Sequence, residues 1–370
     1  MLTVGCTTTM PVPLFDTTSA LAPLHARIDA AIAAVVAARR FILGPEVAAF
    51  EQEFAAYCGA RHAVGVANGT DALTIALRAM GVGPGDEVIV PSFTFYATAE
   101  AVPATGARPV FCDVDPDTFC MTADTVAAAL TPATKAVVAV HLFGNLAPVA
   151  EIEALGVPVL EDAAQAAGTR GADARPGALG SAATWSFFPS KNLACFGDGG
   201  AITTDDDDVA AFARMLRFHG SHDKVTYEHI GYNSRLDELQ AAILRVQLPH
   251  LDTWAEGRRA AARHYADAGL GELVTLPVAG AGSEPAWHLY VVRSERADVL
   301  AAGLAAHGIG CKAYYRLPVH RQAAMRDIAD GAELPVTDEV ARTHLALPMS
   351  PVLRADQAGE VVAAVRAVLG

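Results

Sequence analysis

The stretch V-L-E-D-A-A-Q at residues 159–165, taken together with W-S-F-F-P-S-K at 185–191, decides the fold of this chain. The apolar start of the first motif predicts a buried strand that brings Glu161 and Asp162 to its carboxyl end. The second motif is also mostly apolar, follows a glycine-rich connection and leads into Lys191. Because open α/β sheets bind ligands at the carboxyl ends of their strands, a carboxylate and an amine are presented where a ligand is expected.

The lysine that follows the second apolar run is suited to covalent chemistry with a carbonyl carbon. Partial burial disfavours the charged ammonium, which frees the amine of Lys191 as a nucleophile. A buried acid such as Asp162 can keep the nitrogen of a pyridine ring protonated, and this protonation makes pyridoxal phosphate an electron sink. Each residue alone also fits a simpler role, a surface lysine or an acid that caps a helix, so the neighbouring motifs carry the interpretation.

Composition limits the classes of function. With 370 residues, 52% of them hydrophobic, the chain is long enough for two domains with substantial cores. Its 27 basic and 41 acidic residues give a net charge of −14, which argues against a surface for nucleic acid or anionic membranes. No apolar run is long enough to span a bilayer, and the opening M-L-T-V-G-C-T-T-T-M is unlike a signal peptide. Met10 is a more natural start, so the residues before it are expected to be an extension.

Cysteines and histidines give no sign of a disulfide or metal framework. The cysteines are scattered without a C-x-x-C pair, which predicts reduced thiols in a cytoplasmic protein. Cys195 is interpreted as a packing residue, although it lies close behind Lys191. His141, His219 and His222 lack partners at metal-ligand spacing, so no metal site is expected. The cysteines are Cys6, Cys58, Cys112, Cys120, Cys195 and Cys311.

Short apolar runs alternate with segments of helical periodicity, which is the pattern of right-handed βαβ units and a mostly parallel sheet. The predicted strands lie at 64–67, 87–90, 110–114, 136–140, 157–160, 182–188 and 201–204, and helices at 24–38, 47–58, 123–130, 148–155 and 209–217. Beyond a long helix that begins near residue 250, the sequence predicts a smaller unit with strands at 288–292 and 310–313 and helices at 297–307 and 357–369.

The motifs E-D-A-A-Q, S-F-F-P-S-K-N-L and G-D-G-G-A-I resemble those of the DegT family of nucleotide-sugar aminotransferases. The resemblance continues through N-G-T-D-A-L, P-S-F-T-F and G-Y-N-S-R-L-D-E-L-Q and covers roughly residues 41–320. It implies the aspartate-aminotransferase-like PLP fold, an α/β fold whose large domain has a mostly parallel central sheet, with a smaller α+β C-terminal domain. The expected boundaries are an N-terminal extension at 1–20, a large PLP-binding domain at 21–250 and a small domain at 251–370.

A phosphate site is expected where Asn68-Gly69-Thr70-Asp71 follows a short strand and opens a helix. Free N–H groups and the helix dipole favour an anion there, although an ordinary capped helix fits the spacing equally well. The resemblance implies that Gly69 and Thr70 bind the phosphate of pyridoxal 5′-phosphate. It adds Ser186, and also Asn233 of the partner subunit, since active sites in this family are shared across a homodimer.

The remaining cofactor contacts are implied by the same resemblance. Lys191 holds the cofactor covalently and, once freed, moves the proton as general base and acid. Asp162 pairs with the ring nitrogen, Gln165 hydrogen-bonds the ring hydroxyl oxygen, and Phe95 lies flat on the pyridine ring. Composition alone would make Phe95 an ordinary core residue.

The implied substrates are glutamate as amino donor and a nucleotide-linked keto sugar as acceptor. Ser234 stands where many relatives carry Tyr, a variant that resembles the branch aminating 3-keto sugars, so a dTDP-linked 3-keto-6-deoxyhexose is expected and a 4-keto sugar is the alternative. Tyr314, Tyr315 and His320 are the expected substrate contacts. Arg316 replaces the proline that is usual in this loop.

Two other functions compete with transamination. Some relatives use the scaffold for PLP-dependent dehydration, but these resemble a pattern with His at the position of Lys191. A non-catalytic sensor could keep the fold to bind PLP or a nucleotide sugar. The presence of Asp162, Gln165 and Lys191 together favours an enzyme over this sensor.

Overall fold

The computed structural model describes residues 12–329 and 331–370. A central sheet is built from strands β1 (His62–Val66), β2 (Glu87–Pro91), β3 (Arg108–Cys112), β4 (Thr134–Val140), β5 (Val159–Asp162), β6 (Ala182–Ser186) and β7 (Gly200–Thr204). Their order is β1-β7-β6-β5-β4-β2-β3. Strand β7 runs antiparallel to its neighbours, β1 and β6, whereas β2 to β6 pair in parallel. The prediction of a mostly parallel α/β sheet is therefore confirmed.

Twelve α-helices surround this sheet and build the C-terminal part of the described chain. They are α1 (His25–Ala38), α2 (Pro45–Cys58), α3 (Gly69–Ala79), α4 (Ala97–Glu100), α5 (Ala123–Ala129), α6 (Val149–Glu153), α7 (Asp207–Leu216), α8 (Glu238–Gln247), α9 (Leu251–Asp267), α10 (Ala297–Ala306), α11 (Pro335–Thr343) and α12 (Ala355–Leu369). Among the described residues, no helix is both long enough and apolar enough to cross a membrane.

The sheet buries both faces, as its nearly continuous apolar strands require. Side chains alternate between the faces along each strand: Val88 and Val90 of β2 pack in the core that contains α3, whereas Ile89 packs in the core on the opposite face. The same alternation in β5 sends Glu161 and Asp162 in opposite directions, a consequence that matters for the site below.

The C-terminal unit differs from its prediction in two ways: its second strand lies at His344–Leu347 and not at 310–313, and α11 was not predicted. Strand β8 (Tyr290–Arg293) pairs antiparallel with β9 (His344–Leu347), which follows α11. The predicted strand at 310–313 is wrong, because this segment makes only an isolated bridge between Lys312 and Ala346. Its backbone is instead held near the start of the described chain, where the N–H of Gly310 donates to the carbonyl of Val12 at 2.9 Å.

The predicted N-terminal extension at 1–20 is only partly visible. Residues 1–11 lie outside the described residues, as does the proposed start at Met10. Val12 is buried in the core of the C-terminal unit and forms a parallel bridge with Ile309. This part of the extension therefore packs on the protein.

Two helical glycines provide a test of the packing around α9. A Cβ added to Gly257 would lie 2.1 Å from the carbonyl oxygen of Pro351, so Gly257→Ala should destabilise the protein by about 1–3 kcal/mol through overpacking. Gly359 in α12 has open space where a Cβ would stand, so Gly359→Ala should instead stabilise by roughly 0.5–1 kcal/mol through helix propensity. Urea unfolding midpoints measure both changes. An unchanged or raised midpoint for Gly257→Ala would contradict this account of Gly257, and a lowered midpoint for Gly359→Ala would contradict that of Gly359.

Candidate active site

A cavity of about 600 Å³ lies where the ends of β5 and β6 meet the start of α3. All the site residues predicted from sequence line it, except Asn233 and His320. The predicted residues at the cavity are Gly69, Thr70, Phe95, Asp162, Gln165, Ser186, Lys191, Tyr314 and Tyr315. Segments that are far apart in sequence therefore meet at the carboxyl edge of the sheet, as in other open α/β folds.

Asp162 ends β5 and is buried at the cavity wall. Its Oδ2 accepts the hydroxyl of Thr98 at 2.8 Å, and its Oδ1 accepts the N–H of Ala164 at 3.2 Å. Thr98 gives its only hydroxyl proton to Asp162, so the 3.1 Å contact between Thr94 and Thr98 has Thr94 as the donor. This chain of hydroxyls fixes the carboxylate in one orientation.

Glu161 points to the opposite side of the sheet and is fully buried. Its carboxylate accepts the N–H groups of Gly177, Leu179 and Gly180 at 2.9–3.0 Å, and Nε2 of His141 lies 2.8 Å from it. Nδ1 of His141 accepts the N–H of Ala147 at 3.0 Å, so the proton of a neutral imidazole sits on Nε2 and is donated to Glu161. Glu161 therefore anchors the loop between β5 and β6 and does not face the cavity.

Lys191 lies in a turn after β6, where its N–H donates to the carbonyl of Phe188 at 2.8 Å. Burial lowers the pKa of its ammonium to about 8, against the opposing pull of the Asp162 carboxylate. Because a lower pKa gives more neutral amine near neutral pH, Lys191 is prepared to act as a nucleophile or a base.

The start of α3 forms a narrow cradle against β6. Asn68 caps the helix, since its side chain accepts the N–H of Asp71 at 2.8 Å. A Cβ on Gly69 would lie 2.8 Å from Cβ of Ser186, so only glycine leaves this space open. The remaining free N–H groups of the first turn suit a phosphate. This cradle, the buried carboxylate of Asp162 and the amine of Lys191 together fit pyridoxal phosphate.

The side chains of Gln165 and Phe95 complete the cavity wall. Gln165 accepts the N–H of Phe143 at 2.7 Å and donates to the hydroxyl of Tyr315 at 3.3 Å, so both ends of its amide are engaged. Phe95 is 54% exposed, which is unusual for a core phenylalanine, and its ring centroid lies 6.0 Å from that of Tyr315. An apolar ring is thus available at the open side of the cavity.

Two predicted residues are not brought to the cavity. His320 is buried behind it, where Ser92 accepts its N–H at 3.1 Å and contacts its Nδ1 at 2.6 Å. Asn233 is exposed and forms a backbone bridge with Phe218. The structure gives no direct support to His320 as a substrate contact, and a role for Asn233 requires a second subunit.

Several lining residues were not singled out from the sequence. Asp198 lies inside the G-D-G-G-A-I motif, which could have indicated it. His288 had no local signal. Its Nδ1 lies 3.4 Å from Oδ1 of Asn192, whose amide nitrogen donates to two backbone carbonyls. Burial, reinforced by the charges of Lys191 and Arg258, lowers the pKa of His288 well below its usual value, so this imidazole is neutral.

Comparisons with known proteins agree over nearly the whole chain. The model of the DegT/DnrJ/EryC1/StrS aminotransferase family matches residues 23–366. The chain is 47% identical over 362 residues to dTDP-3-amino-3,4,6-trideoxy-alpha-D-glucose transaminase of Streptomyces venezuelae, with 96% of this chain and 95% of that protein covered. It is 44% identical over 361 residues to a pleiotropic regulatory protein of Geobacillus stearothermophilus, with 95% and 97% covered. The crystal structure of S. venezuelae DesV matches with a TM-score of 0.93 at 47% identity, covering 96% of this chain and 98% of that one.

The state of Lys191 can be measured in the cofactor-free protein. With a pKa of about 8, roughly a tenth of its amine is neutral at pH 7, about 300 times the fraction of a free lysine. As the pH rises, the rate at which cyanate carbamoylates Lys191 should therefore reach its plateau at a lower pH than the rate for Nα-acetyl-lysine in the same mixture. Peptide mass spectrometry measures both rates. Identical pH profiles for the two amines would show that burial does not shift Lys191.

Proposed function

The chain belongs to the DegT/DnrJ/EryC1/StrS aminotransferase family, and from this premise we propose that it transfers the amino group of glutamate to carbon 3 of a dTDP-linked keto-6-deoxyhexose. The observation that carries the proposal is the meeting of Lys191, Asp162 and the Gly69 cradle in one cavity. The activity for which the S. venezuelae relative is named supports the choice of nucleotide and carbon.

Enzymes of this family depend on pyridoxal phosphate, and this chain has residues that fit it. Gly69, Thr70 and Ser186 would hold the phosphate in the cradle, and Asp162 would keep the ring nitrogen protonated. When bound, the cofactor supplies an electron sink for the electron pair left as a proton leaves the donor's α-carbon. The charge-assisted hydrogen bond that Asp162 would make to the ring nitrogen would contribute on the order of 1.5–3 kcal/mol.

The other polar groups position the ring and move the proton. Gln165 would bond the ring hydroxyl oxygen, and Phe95 would cover the ring face at the open side. Lys191 would attach the cofactor and then carry the proton as general base and acid, for which its lowered pKa suits it. The hydroxyl chain from Thr94 through Thr98 keeps Asp162 aimed while charge develops.

The acceptor sugar is expected near Tyr314 and Tyr315, whose rings lie on the cavity wall. Arg316, which departs from the usual proline, donates to the carbonyl of Ala341 and to Asp298. Its guanidinium is thus held on the surface of the C-terminal unit, and Arg316 is not among the residues that line the cavity. His320 stays a predicted substrate contact without a place at the cavity.

We place each pair of active sites in a homodimer of two-domain chains, with domains at 21–250 and 251–370. Exposed Phe188 and Phe196, each about half exposed, provide apolar surface near the site for a second copy. The scattered free thiols support a cytoplasmic location. The net charge of −14 supports small-molecule substrates over nucleic acid or anionic membranes.

A sensor is the alternative of a different class, because the Geobacillus stearothermophilus relative is called a regulatory protein. Turnover separates the two. Purified chain with glutamate should aminate a dTDP-linked 3-keto-6-deoxyhexose, as identified by product NMR against 4-keto and UDP-linked sugars. Lys191→Ala should abolish this activity, and borohydride should fix cofactor on Lys191 of the unmodified chain. An inactive chain that still binds cofactor would favour the sensor, and amination at carbon 4 would overturn the choice of carbon.

The shared site can be tested by mixing two damaged chains. If Asn233 of the partner subunit completes the phosphate site, a heterodimer of Lys191→Ala and Asn233→Ala chains contains one intact site and one doubly damaged site. After subunit exchange the mixture should exceed the activity of both parents. Measurement at limiting pyridoxal phosphate sharpens the contrast, since one lost phosphate hydrogen bond costs only about 1.5–3 kcal/mol. Activity at the parental average despite proven exchange would place Asn233 outside the partner's site.

A further inference from the structure

Arg258 is a buried cation without an acidic partner. It lies on α9 and is only 7% exposed. Its Nη1 donates to the carbonyl oxygens of Trp287 at 3.1 Å and His288 at 3.4 Å, and in the described chain no carboxylate lies within 4 Å of the guanidinium. The two arginines that follow on the same helix differ, since Arg259 and Arg263 both bond Glu256.

This burial has an energetic consequence. It lowers the pKa of Arg258 to about 10, and no neighbouring charge offsets the effect. An uncompensated buried charge is costly, whereas the same charge beside an anion is tolerated. Two backbone carbonyls satisfy one nitrogen of the guanidinium and leave its positive charge unpaired. The arrangement calls for an anion from outside the described residues.

A small cavity of about 50 Å³ provides the space for that anion. Arg258 and Lys191 both line it, and it shares Phe15, Ser190 and Lys191 with the large cavity. Since about 10–15 Å³ of such volume holds one water, this space has room for a carboxylate. Asp16 also lines it, but Oδ1 of Asp16 accepts the N–H groups of Thr18 and Ser19 in its own turn and is not paired with Arg258.

Within one chain, Lys191 is the one charged basic residue among the described residues that line the large cavity. Its acidic lining residues are Asp71, Asp162 and Asp198, and within the described ranges its basic ones are Lys191 and the neutral His288. Glutamate brings two carboxylates, and its α-carboxylate is attached to the carbon that carries the reacting amine. That carboxylate must therefore come close to Lys191, at the boundary between the two cavities.

We propose that Arg258 binds the α-carboxylate of the amino-acid donor, so that the small cavity beside Lys191 is a donor-carboxylate subsite. The proposal rests on the aminotransferase function proposed above. Charge pairing there orients the donor's α-carbon toward the amine of Lys191, which collects its proton. The subsite contributes to the glutamate half-reaction and leaves binding of the keto sugar to the large cavity.

Arg258→Met, Arg258→Lys and the matched control Arg263→Met test the assignment in the holoenzyme. Arg263 lies on the same helix but is exposed. In the glutamate half-reaction, followed by the change in cofactor absorption, Arg258→Met should lower kcat/KM by about 30- to 1,000-fold, because one partner of a buried charge pair is removed. Arg258→Lys should recover part of this loss, and Arg263→Met should stay within about twofold of the unmodified chain. The keto-sugar half-reaction, started from the amine-loaded form, should stay within about twofold in every variant.

The affinity for glutarate, measured by calorimetry, tests Arg258 independently of turnover. Glutarate carries carboxylates but no amine, and its affinity should fall at least about tenfold in Arg258→Met. Chloride is the second anion to be tested. If chloride competes with glutarate in the unmodified chain and this competition disappears in Arg258→Met, both anions bind one subsite at Arg258, as the proposal requires. Chloride binding at Arg258 without such competition would make it a halide site and overturn the proposal.

Each failure can be separated from the others. If the unmodified chain shows no half-reaction with glutamate, the proposed function fails before any variant is compared. If it reacts and Arg258→Met reacts equally well, Arg258 is not a donor contact. Equal losses in both half-reactions of Arg258→Met and Arg258→Lys would assign Arg258 a purely structural role on the carbonyls of Trp287 and His288.

Discussion

The buried carboxylate of Glu161 holds together the part of the molecule on which the site depends. Three backbone N–H groups of the loop at 177–180 and the imidazole of His141 all donate to it. Hydrogen bonds to a buried carboxylate are strong, and an unmet one is costly, so this loop has little freedom. The loop joins β5 to β6, and thereby sets the separation between Asp162 at the end of one strand and Lys191 beyond the other. A structural acid and a functional acid are thus adjacent in sequence and opposite in space.

Much of this arrangement can be predicted from the sequence. The rest cannot, because it depends on contacts between residues far apart in the chain. Local patterns predicted the strands, the glycine turn at 69 and the polar ends that form the cavity. The side assignment of Glu161 and Asp162 needed only the two-residue period of a strand. Long-range packing is not predictable from local patterns: Asn192 contacts His288 across 96 residues, and nothing in the local sequence distinguishes Arg258 from Arg259 and Arg263 on the same helix. The false strand at 310–313 has the same origin, since backbone pairing with β9 decides it and local composition does not.

Basic side chains lie close together around Lys191, in contrast to the acidic composition of the protein as a whole. The chain has a net charge of −14, yet the charges of Lys191 and Arg258 lie close enough to His288 to lower its pKa. Burial acts on all three in the same direction and favours their neutral forms. Lys191 has a pKa of about 8 and is partly neutral near physiological pH, and His288 is already neutral there. The arginine keeps its charge, since even a lowered pKa of about 10 leaves it protonated.

This difference gives the three residues different roles. A group that must take up and release a proton has to be able to exist uncharged, and the burial of Lys191 provides for that without a dedicated base beside it. A group that must hold an anion has to stay charged, which among buried side chains only a guanidinium does reliably. His288, which is neutral and contacts Asn192, adds no third positive charge beside Lys191 and Arg258. The same burial that makes Lys191 reactive therefore leaves Arg258 in need of a carboxylate, and the donor amino acid is the reactant that carries one to that place.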